Sequence, residues 1–387
     1  MSRASDSAPV PIAEYVLKVA SRCNLACDYC YVYTMADQSW RSRPVLITPD
    51  TVLRAARRIA EHAATHRQPV VKVVLHGGEP LLAGRDLLDH VASTVRRELP
   101  DTTSVDLRIQ TNGVLLDESF LGTFATHGVK VGISLDGTEA QHDEHRVGPA
   151  GRGSHADTAR AIRLLTRPEY RAHYAGLLCV IDIDHHPVEA YEALLEFEPP
   201  VVDFLLPHGN WSAPPPGRVA GDPRTPYADW LIAVFDRWYD APRQETAVRL
   251  FQEVINLLLG GRSRSEQVGA GPVAYLVIDT DGSYQQDDSL KSVRSGEPET
   301  GMNIVDHTVD EVLHHPDVRA RQLGIESLAA DCRRCPLVRV CGGGDYPHRF
   351  RAGQGFRNPS VYCPDLQRLI RHVAGRVRAD LFAGAGR

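Results

Sequence analysis

Short apolar runs alternate with amphipathic stretches through the first half of the chain, and this alternation limits the possible fold more than any other feature. The runs have the length and the valine and isoleucine content of buried strands. The stretch 49–65 begins with an N-cap signal and continues with apolar positions at helical spacing. Strands joined by such helices form parallel βαβ units. The pattern predicts an α/β fold, a partial (β/α)6 barrel of the TIM type, with strands at 15–20, 70–78, 105–113, 129–137, 174–182 and 201–207.

Proline and glycine are concentrated in the segment 207–226, which predicts a domain boundary. Beyond it, Asp281 and Gly282 have the composition of a β-hairpin turn. A chain of 387 residues is too long for one ordinary core, so we expect one large domain and a smaller one. The predicted divisions are an N-terminal tail (1–12), the barrel (13–215), a linker with bridging helices (216–265) and a C-terminal domain that ends in a helix (266–387).

Unusual residues follow several predicted strands at the point where each strand ends. Cys23 follows the first run, and the sequences HGGEP, QTNG and SLDG end the second, third and fourth. In a barrel of this type the chemistry belongs to the C-terminal ends of the strands, where the loops gather. We therefore expect one functional rim.

Composition and charge exclude several classes of function. The net charge of −6 argues against a phosphate-binding surface and hence against a nucleic-acid partner. No apolar run approaches membrane-spanning length, and the first residues lack the apolar core of a signal peptide. We therefore expect a cytoplasmic protein without a membrane partner. Eight cysteines in a reducing compartment, seven of them in two groups, indicate metal binding rather than disulfides.

The first cysteine group is a CxxxCxxC motif formed by Cys23, Cys27 and Cys30, with no fourth cysteine nearby. Iron–sulfur clusters and structural zinc sites usually have four protein ligands. A cluster with three thiolates leaves one iron open to a substrate or a cofactor. The alternatives are a zinc loop with a distant fourth ligand, or chance.

The sequence CNLACDYC after a first strand resembles the radical S-adenosylmethionine (SAM) superfamily. The resemblance implies that the three cysteines bind one 4Fe–4S cluster and that SAM chelates its fourth iron. GGEP resembles the motif that binds the methionine part of SAM, with Glu79 expected to pair with the ammonium group. QTNG, SLDG and the arginine of HDEHR resemble further SAM contacts. The SAM-binding residues implied are Gly77, Gly78, Glu79, Gln110, Asn112, Ser134 and Arg146.

The second cysteine group resembles a SPASM domain, which carries auxiliary iron–sulfur clusters in enzymes that modify peptides. The chain departs from the usual seven-cysteine pattern, because Asp345 and Asp287 stand where two of the cysteines would be. The resemblance implies that the ligands of one auxiliary 4Fe–4S cluster remain and that those of a second are lost. A structural zinc knuckle is the alternative. The remaining cysteines are Cys332, Cys335, Cys341 and Cys363.

Asp288 directly follows the lost cysteine position and matches an acidic residue that serves as the base in related sulfatase maturases. We expect it to be the catalytic base, and a solvated hairpin carboxylate is the alternative. We expect a change of Asp287 to asparagine to leave product formation nearly unaffected. His208 and His348 are further polar candidates near the predicted site loops.

The stretches 27–44 and 341–363 resemble the FxsB group of radical SAM/SPASM maturases. This resemblance implies a ribosomal precursor peptide as substrate and a three-residue cyclophane as product, in which an aromatic ring carbon is joined to the β-carbon of a residue two positions later. It also implies an electron donor such as flavodoxin or ferredoxin. We find no room before the first strand for a leader-binding domain, so a separate leader-binding protein is a further possible partner.

The alternatives within this class are other radical oxidations of a peptide, such as formylglycine or thioether formation. From other classes, an inactive peptide-binding or electron-transfer protein and an RNA-modifying enzyme remain. The intact motif cysteines argue against the first of these, and the acidic balance argues against the second.

Overall fold

The structure is a computed structural model, and it describes residues 8–219 and 221–385. The first residues of the predicted tail, 1–7, lie outside the described part. The strands are β1 (Glu14–Ala20), β2 (Val70–Gly77), β3 (Ser104–Thr111), β4 (Lys130–Ser134), β5 (Tyr174–Val180), β6 (Val201–Leu205), β7 (Ala247–Val248), β8 (Tyr275–Ile278), β9 (Ser283–Gln285) and β10 (Glu299–Asn303). The helices are α1 (Pro49–Thr65), α2 (Arg85–Glu98), α3 (Glu118–Thr126), α4 (Glu139–His145), α5 (His155–Leu165), α6 (Pro187–Leu195), α7 (Pro226–Tyr239), α8 (Arg249–Leu258), α9 (Val309–Leu313), α10 (Pro316–Gln322), α11 (Ala330–Arg334), α12 (Val338–Cys341) and α13 (Cys363–Ala385).

All six predicted strands are present, as β1 to β6, and the alternation with helices is confirmed. Helix α1 occupies the predicted range, because Thr48 caps it by accepting a hydrogen bond from the Thr51 amide at 3.1 Å and Pro49 takes its first position. Strands β7 and β10 and the short helices α4 and α9 to α12 were not predicted. They are too short for a periodic pattern to identify them.

The chain divides into two compact units that do not follow simple sequence segments. Unit 1 comprises the described residues up to Leu135, His142–Leu177 and Val273–Gln322. Unit 2 comprises Asp136–Gln141, Leu178–Pro272 and the described residues from Leu323 onward. The four sequence divisions given above remain a prediction.

The sheet of unit 1 has the strand order β10-β9-β8-β1-β2-β3-β4. Strands β8 and β1 to β4 are parallel, whereas β9 and β10 are antiparallel additions at one edge. Because parallel strands end at the same edge of a sheet, the residues after β1, β2, β3 and β4 gather on one side. The predicted functional rim therefore has a structural basis.

The predicted hairpin is formed by β8 and β9, and Gly282 turns it with φ of +80°. A left-handed residue at this position favours glycine, which has no Cβ to clash. Strand β8 also pairs with β1 in parallel, with Leu17 opposite Ile278. This pairing places the hairpin in unit 1.

Unit 2 is built around aromatic side chains and the helices α7, α8 and α13. Phe235 lies edge-on to Phe251 with ring centroids 5.2 Å apart, and Phe204 lies 5.1 Å from Trp230. Asp365, in the first turn of α13, accepts hydrogen bonds from the first amides of α7 at 3.0 and 3.1 Å. A carboxylate at a helix N-terminus satisfies donors that have no partner within the helix, and here it joins two helices.

None of the described helices combines the length and the apolar character that crossing a membrane would require.

Asp287, whose change to asparagine is expected to leave product formation nearly unaffected, has a structural role in unit 1. Asp287 is 7% exposed, and its Oδ2 lies 3.0 Å from Nη2 of Arg321, which is 6% exposed. Arg321 also donates to the Gln286 carbonyl at 2.8 Å, so the pair joins α10 to the end of β9. Burial alone would raise the pKa of Asp287, but Arg321 and Ser289 lower it below its ordinary value. The stabilisation is therefore present above the ordinary carboxyl pKa and is lost as the pH falls through the lowered one.

We predict that Asp287→Asn lowers the free energy of unfolding by about 3–5 kcal/mol, because a buried Arg321 guanidinium loses its counter-charge. Chemical denaturation measures this. Asp306→Asn, at an exposed position, is the control and should stay within about 0.5 kcal/mol of the wild type. Equal stability of the two variants would contradict the structural role of the pair.

Candidate active site

The loop after β1 carries the first three cysteines. All three are half-buried and none is in a disulfide. The Sγ of Cys23 accepts a hydrogen bond from the Leu25 amide at 3.4 Å. Burial raises the pKa of the Cys23 thiol to about 12, and this amide partly opposes the shift. Metal binding requires thiolates, which burial disfavours here. The positive charge of a bound iron–sulfur cluster would offset the cost of ionising these buried thiols.

The GGEP segment anchors the start of this loop. The Gly78 amide donates to the Ala20 carbonyl at 3.0 Å, and the Glu79 amide donates to the Arg22 carbonyl at 2.9 Å. A Cβ on Gly77 would lie 2.0 Å from the Ala20 oxygen, and one on Gly78 would lie 2.4 Å from the Arg22 oxygen. In the structure, the two glycines therefore let the chain approach itself. Their predicted contact with SAM remains a proposal.

Glu79 is fully buried, and its carboxylate is surrounded by protein donors. Its Oε1 accepts from the Leu81 amide at 2.9 Å and from the Thr111 hydroxyl at 2.6 Å, and its Oε2 accepts from the Asn112 amide at 2.8 Å. Burial raises the pKa of Glu79 to about 7, although these three donors lower it in part. The predicted pairing of this carboxylate with the SAM ammonium group remains a proposal. Here Glu79 ties the end of β2 to the end of β3.

Asn112 links this buried carboxylate to the cysteine loop. Its side-chain amide donates to Oδ1 of Asn24 at 2.8 Å and lies 3.8 Å from the Sγ of Cys23. On the neighbouring strands, Gln110 donates to the Ser134 hydroxyl at 3.0 Å. Asn112, Gln110 and Ser134 therefore gather at the predicted edge, as polar groups at strand ends.

Arg146 lies beside the cysteine loop. Its guanidinium carbon is 5.5 Å from the ring centroid of Tyr29, and its charge lowers the pKa of Cys30 in opposition to burial, which raises it. The structure thus brings Arg146 to the loop that carries the motif cysteines.

Asp288 is buried, so the solvated alternative is wrong. It is 5% exposed, and its Oδ1 lies 2.5 Å from the Nζ of Lys18 and 3.9 Å from that of Lys291. Its negative charge raises the pKa values of Cys30 and Tyr31, in addition to the larger effect of burial on each. Asp288 therefore lies within electrostatic reach of the cysteine loop.

Sequence reasoning missed Lys18, the partner of Asp288. Lys18 is 4% exposed in the middle of β1, and its Nζ also lies 3.6 Å from Asp279. Burial alone would lower the pKa of Lys18, but Asp288 and Asp279 together raise it. The available signal was a lysine inside an otherwise apolar strand, because lysine is almost never fully buried without a partner.

The four remaining cysteines line one cavity of about 80 Å³ in unit 2. A single zinc ion with four thiolates at about 2.3 Å would hold the sulfurs about 3.8 Å apart. In the described residues, 8–219 and 221–385, no three of these cysteines have their Sγ atoms all within 4.8 Å of one another. The wider spacing around a cavity fits a polynuclear cluster better than one zinc ion. The lining cysteines are Cys332, Cys335, Cys341 and Cys363.

Comparisons with known proteins show which family and which relatives the chain resembles. Residues 17–194 match the family model described as Radical SAM superfamily. The chain is 25% identical over 389 residues to the serine-type anaerobic sulfatase-maturating enzyme of Bacteroides thetaiotaomicron, covering 94% of this chain and 90% of that protein. It is 24% identical over 383 residues to the cysteine-type anaerobic sulfatase-maturating enzyme of Clostridium perfringens, covering 95% and 97%.

A solved structure has the same fold. Native anSMEcpe with bound AdoMet and Cp18Cys peptide matches with a TM-score of 0.79 and 22% identity, covering 95% of this chain and 98% of that one. At this level of identity the likeness shows the fold alone.

We predict that reconstituted protein holds about eight irons, because three cysteines with one open iron and four further cysteines make two 4Fe–4S sites. Changing Cys23, Cys27 and Cys30 together to alanine should leave about half of the iron. Iron and sulfide analysis measures this. A wild-type content near twelve would show a third cluster and would contradict this ligand assignment.

Glu79→Gln should keep both clusters and weaken SAM binding by roughly 1.5–3 kcal/mol if the carboxylate meets the SAM ammonium group. The raised pKa of Glu79 means that its contribution to stability is lost as the pH rises from the ordinary carboxyl range through about 7. The melting temperature of the variant relative to the wild type should therefore increase from about pH 5 to about pH 8. If the variant shows this pH dependence but binds SAM as tightly as the wild type, Glu79 only joins the ends of β2 and β3 and does not contact SAM.

Proposed function

We propose that this chain, which belongs to the radical SAM superfamily and is an enzyme that modifies a peptide, oxidatively joins two side chains of a ribosomally made precursor peptide. The new bond links an aromatic ring carbon to the β-carbon of a residue two positions later. The observation that carries the oxidation is the buried carboxylate of Asp288, which lies within electrostatic reach of the cysteine loop. The resemblance of residues 27–44 and 341–363 to the FxsB maturases supports the crosslink as the product.

The cysteine groups have the donors that these cofactors need. Bound at Cys23, Cys27 and Cys30, a 4Fe–4S cluster and SAM supply hydrogen abstraction from a substrate carbon, and an auxiliary cluster at the four other cysteines supplies an electron acceptor. The residues at the ends of β2, β3 and β4 hold SAM in this proposal. Their role is to orient the cofactor and to exclude water.

Asp288 takes the proton. Joining the two carbons removes two hydrogens from the peptide, one as a hydrogen atom from the β-carbon and one from the ring as a proton and an electron. A buried carboxylate suits this transfer, provided that its negative charge is compensated before the proton arrives. Lys18 and Lys291 supply that compensation, and Lys18 also fixes the position of the carboxylate through the 2.5 Å contact.

Formylglycine formation is the second candidate. It is favoured by the similarity of the chain to two sulfatase-maturating enzymes, which extends over more than nine-tenths of its length. It also needs a base, so Asp288 does not distinguish the two reactions.

The remaining partners complete the proposal. An electron donor such as flavodoxin or ferredoxin supplies the reducing electron, and a separate protein presents the leader of the precursor. The eight cysteines without a disulfide suit a reducing compartment, and we place the enzyme in the cytoplasm on that ground.

Incubation of the reconstituted enzyme with SAM, a reductant and an aromatic-containing precursor peptide tests the product. A crosslink removes two hydrogens, resists fragmentation between the joined residues in tandem mass spectrometry and does not react with hydroxylamine. A product that forms an oxime with hydroxylamine would establish formylglycine formation instead. Unchanged peptide despite SAM cleavage, for every precursor encoded beside the gene, would overturn both.

We predict that Asp288→Asn still cleaves SAM in the presence of peptide but forms product about 10²–10⁴-fold more slowly, the usual contribution of a positioned base. Deoxyadenosine and modified peptide are quantified in the same reaction. Asp306→Asn, exposed and in the loop after β10, is the matched control and should keep the wild-type rate. Wild-type product formation by the Asp288 variant would assign the proton to another group or to water.

A further inference from the structure

We propose that His208, Asp345 and His348 in unit 2 form a binding site for one divalent transition-metal ion, separate from the four-cysteine cavity. One nitrogen of each histidine and one carboxylate oxygen all lie within 4.8 Å of one another. Around a single zinc ion, ligands at about 2.0–2.2 Å lie roughly 3.5 Å apart, so small side-chain movements would complete the site. The site goes beyond the proposed peptide oxidation and does not depend on it.

His348 provides an independent observation. The side chain is 2% exposed, and neither of its ring nitrogens has a hydrogen-bond partner. A buried polar group without a partner costs free energy, and native proteins rarely leave one unexplained. The ring lies edge-on to Tyr362 with centroids 4.9 Å apart and lies 5.8 Å from the ring of His208. A metal ion bound to one nitrogen would account for a histidine held in this position.

His348 is also in the chemical state that a metal requires. Burial, reinforced by the nearby His208 and Arg349, lowers the pKa of His348 well below its ordinary value. The ring is therefore neutral at pH 7 and keeps one lone pair for a metal ion.

The loop before Asp345 positions its carboxylate. Gly342, Gly343 and Gly344 have φ values of 60°, 82° and 69°, three successive left-handed residues that turn the chain sharply after Cys341. Asp345 is not among the residues that line the four-cysteine cavity, whereas Cys341 and Gly343 are. The turn therefore separates Cys341, which lines the four-cysteine cavity, from Asp345, which belongs to the proposed metal site.

The positive charge of Arg349 would repel a cation bound at this site. Its guanidinium is buried and donates from Nε to the Gly344 carbonyl at 3.1 Å and from Nη2 to the Gly342 carbonyl at 3.0 Å. These bonds hold it to the glycine turn. Burial lowers the pKa of the Arg349 guanidinium, and Asp345, Cys341, Tyr346 and Cys332 partly oppose this shift, so Asp345 is not its sole electrostatic neighbour.

A second group of similar composition differs in that one of its histidines already uses its lone pair. In unit 1, Nε2 of His62 accepts the Ile12 amide at 3.0 Å, so its Nδ1 carries the proton and faces Asp310 at 3.1 Å. His66 also contacts Asp310, at 2.7 Å. His62 has no lone pair left for a metal ion. This group serves as the control, because Nε2 of His62 already accepts the Ile12 amide.

Two imidazoles and one carboxylate suit zinc or ferrous iron and leave coordination positions open for water or another oxygen ligand. Zinc is the better probe because iron is already present in the clusters. The reconstituted protein is dialysed against a chelator and then titrated with Zn²⁺, while zinc, iron and sulfide are measured together. We expect one zinc per chain with no loss of iron.

Asp345→Asn and His208→Gln should each weaken zinc binding by about 100-fold or more, since loss of a ligand costs more than the roughly 10–100-fold of an outer partner. Asp310→Asn, in the control cluster, should leave zinc binding unchanged. Equal affinity of wild type and both ligand variants would overturn the proposal, as would the absence of zinc binding by the wild type.

X-ray absorption at the zinc edge of the wild type provides a test that does not depend on the folding of any variant. We expect imidazole nitrogen and oxygen scatterers around the ion. Sulfur scatterers, or zinc that enters only as iron leaves, would assign the metal to the cysteines and would overturn the site.

Discussion

The end of β1 and the GGEP segment form the contact on which the rest of the rim depends. Two amides of that segment bond to the carbonyls of Ala20 and Arg22, directly before Cys23. Glycine at 77 and 78 is required, because a Cβ would collide with those carbonyls. Glu79 then extends the connection to β3 by accepting the amide of Asn112. The cysteine loop and the ends of β2 and β3 are thus held by one continuous set of bonds.

Buried charge is concentrated beside this contact. Lys18 projects from the middle of β1 and lies between Asp288 and Asp279, each of which has other cationic neighbours. A buried ion pair of this kind gains little stability over apolar packing, since desolvation offsets the attraction. Its presence at the rim therefore suits a site that must hold and move a proton, which is the role proposed for Asp288.

The strands, the long helices and the two cysteine groups were predicted from local pattern. The protein partners of individual polar residues were not predicted. The sequence did not reveal that Glu79 accepts hydrogen bonds from Thr111 and Asn112, or that Asp287 pairs with Arg321. Lys18 was missed altogether. Each miss concerns a partner far away in the sequence, which no periodicity reveals.

The sequence by itself determined the α/β alternation and the cysteine spacings, because side-chain period and loop length act over a few residues. It also has Asp345 and Asp287 at positions where the resemblance to a SPASM domain leads one to expect cysteines. Only the tertiary structure decided that Lys18 meets Asp288 and that His208 meets His348 beside Asp345. The physical reason is that such contacts depend on how strands pair in register and how loops cross the surface, and both follow from packing of the whole unit.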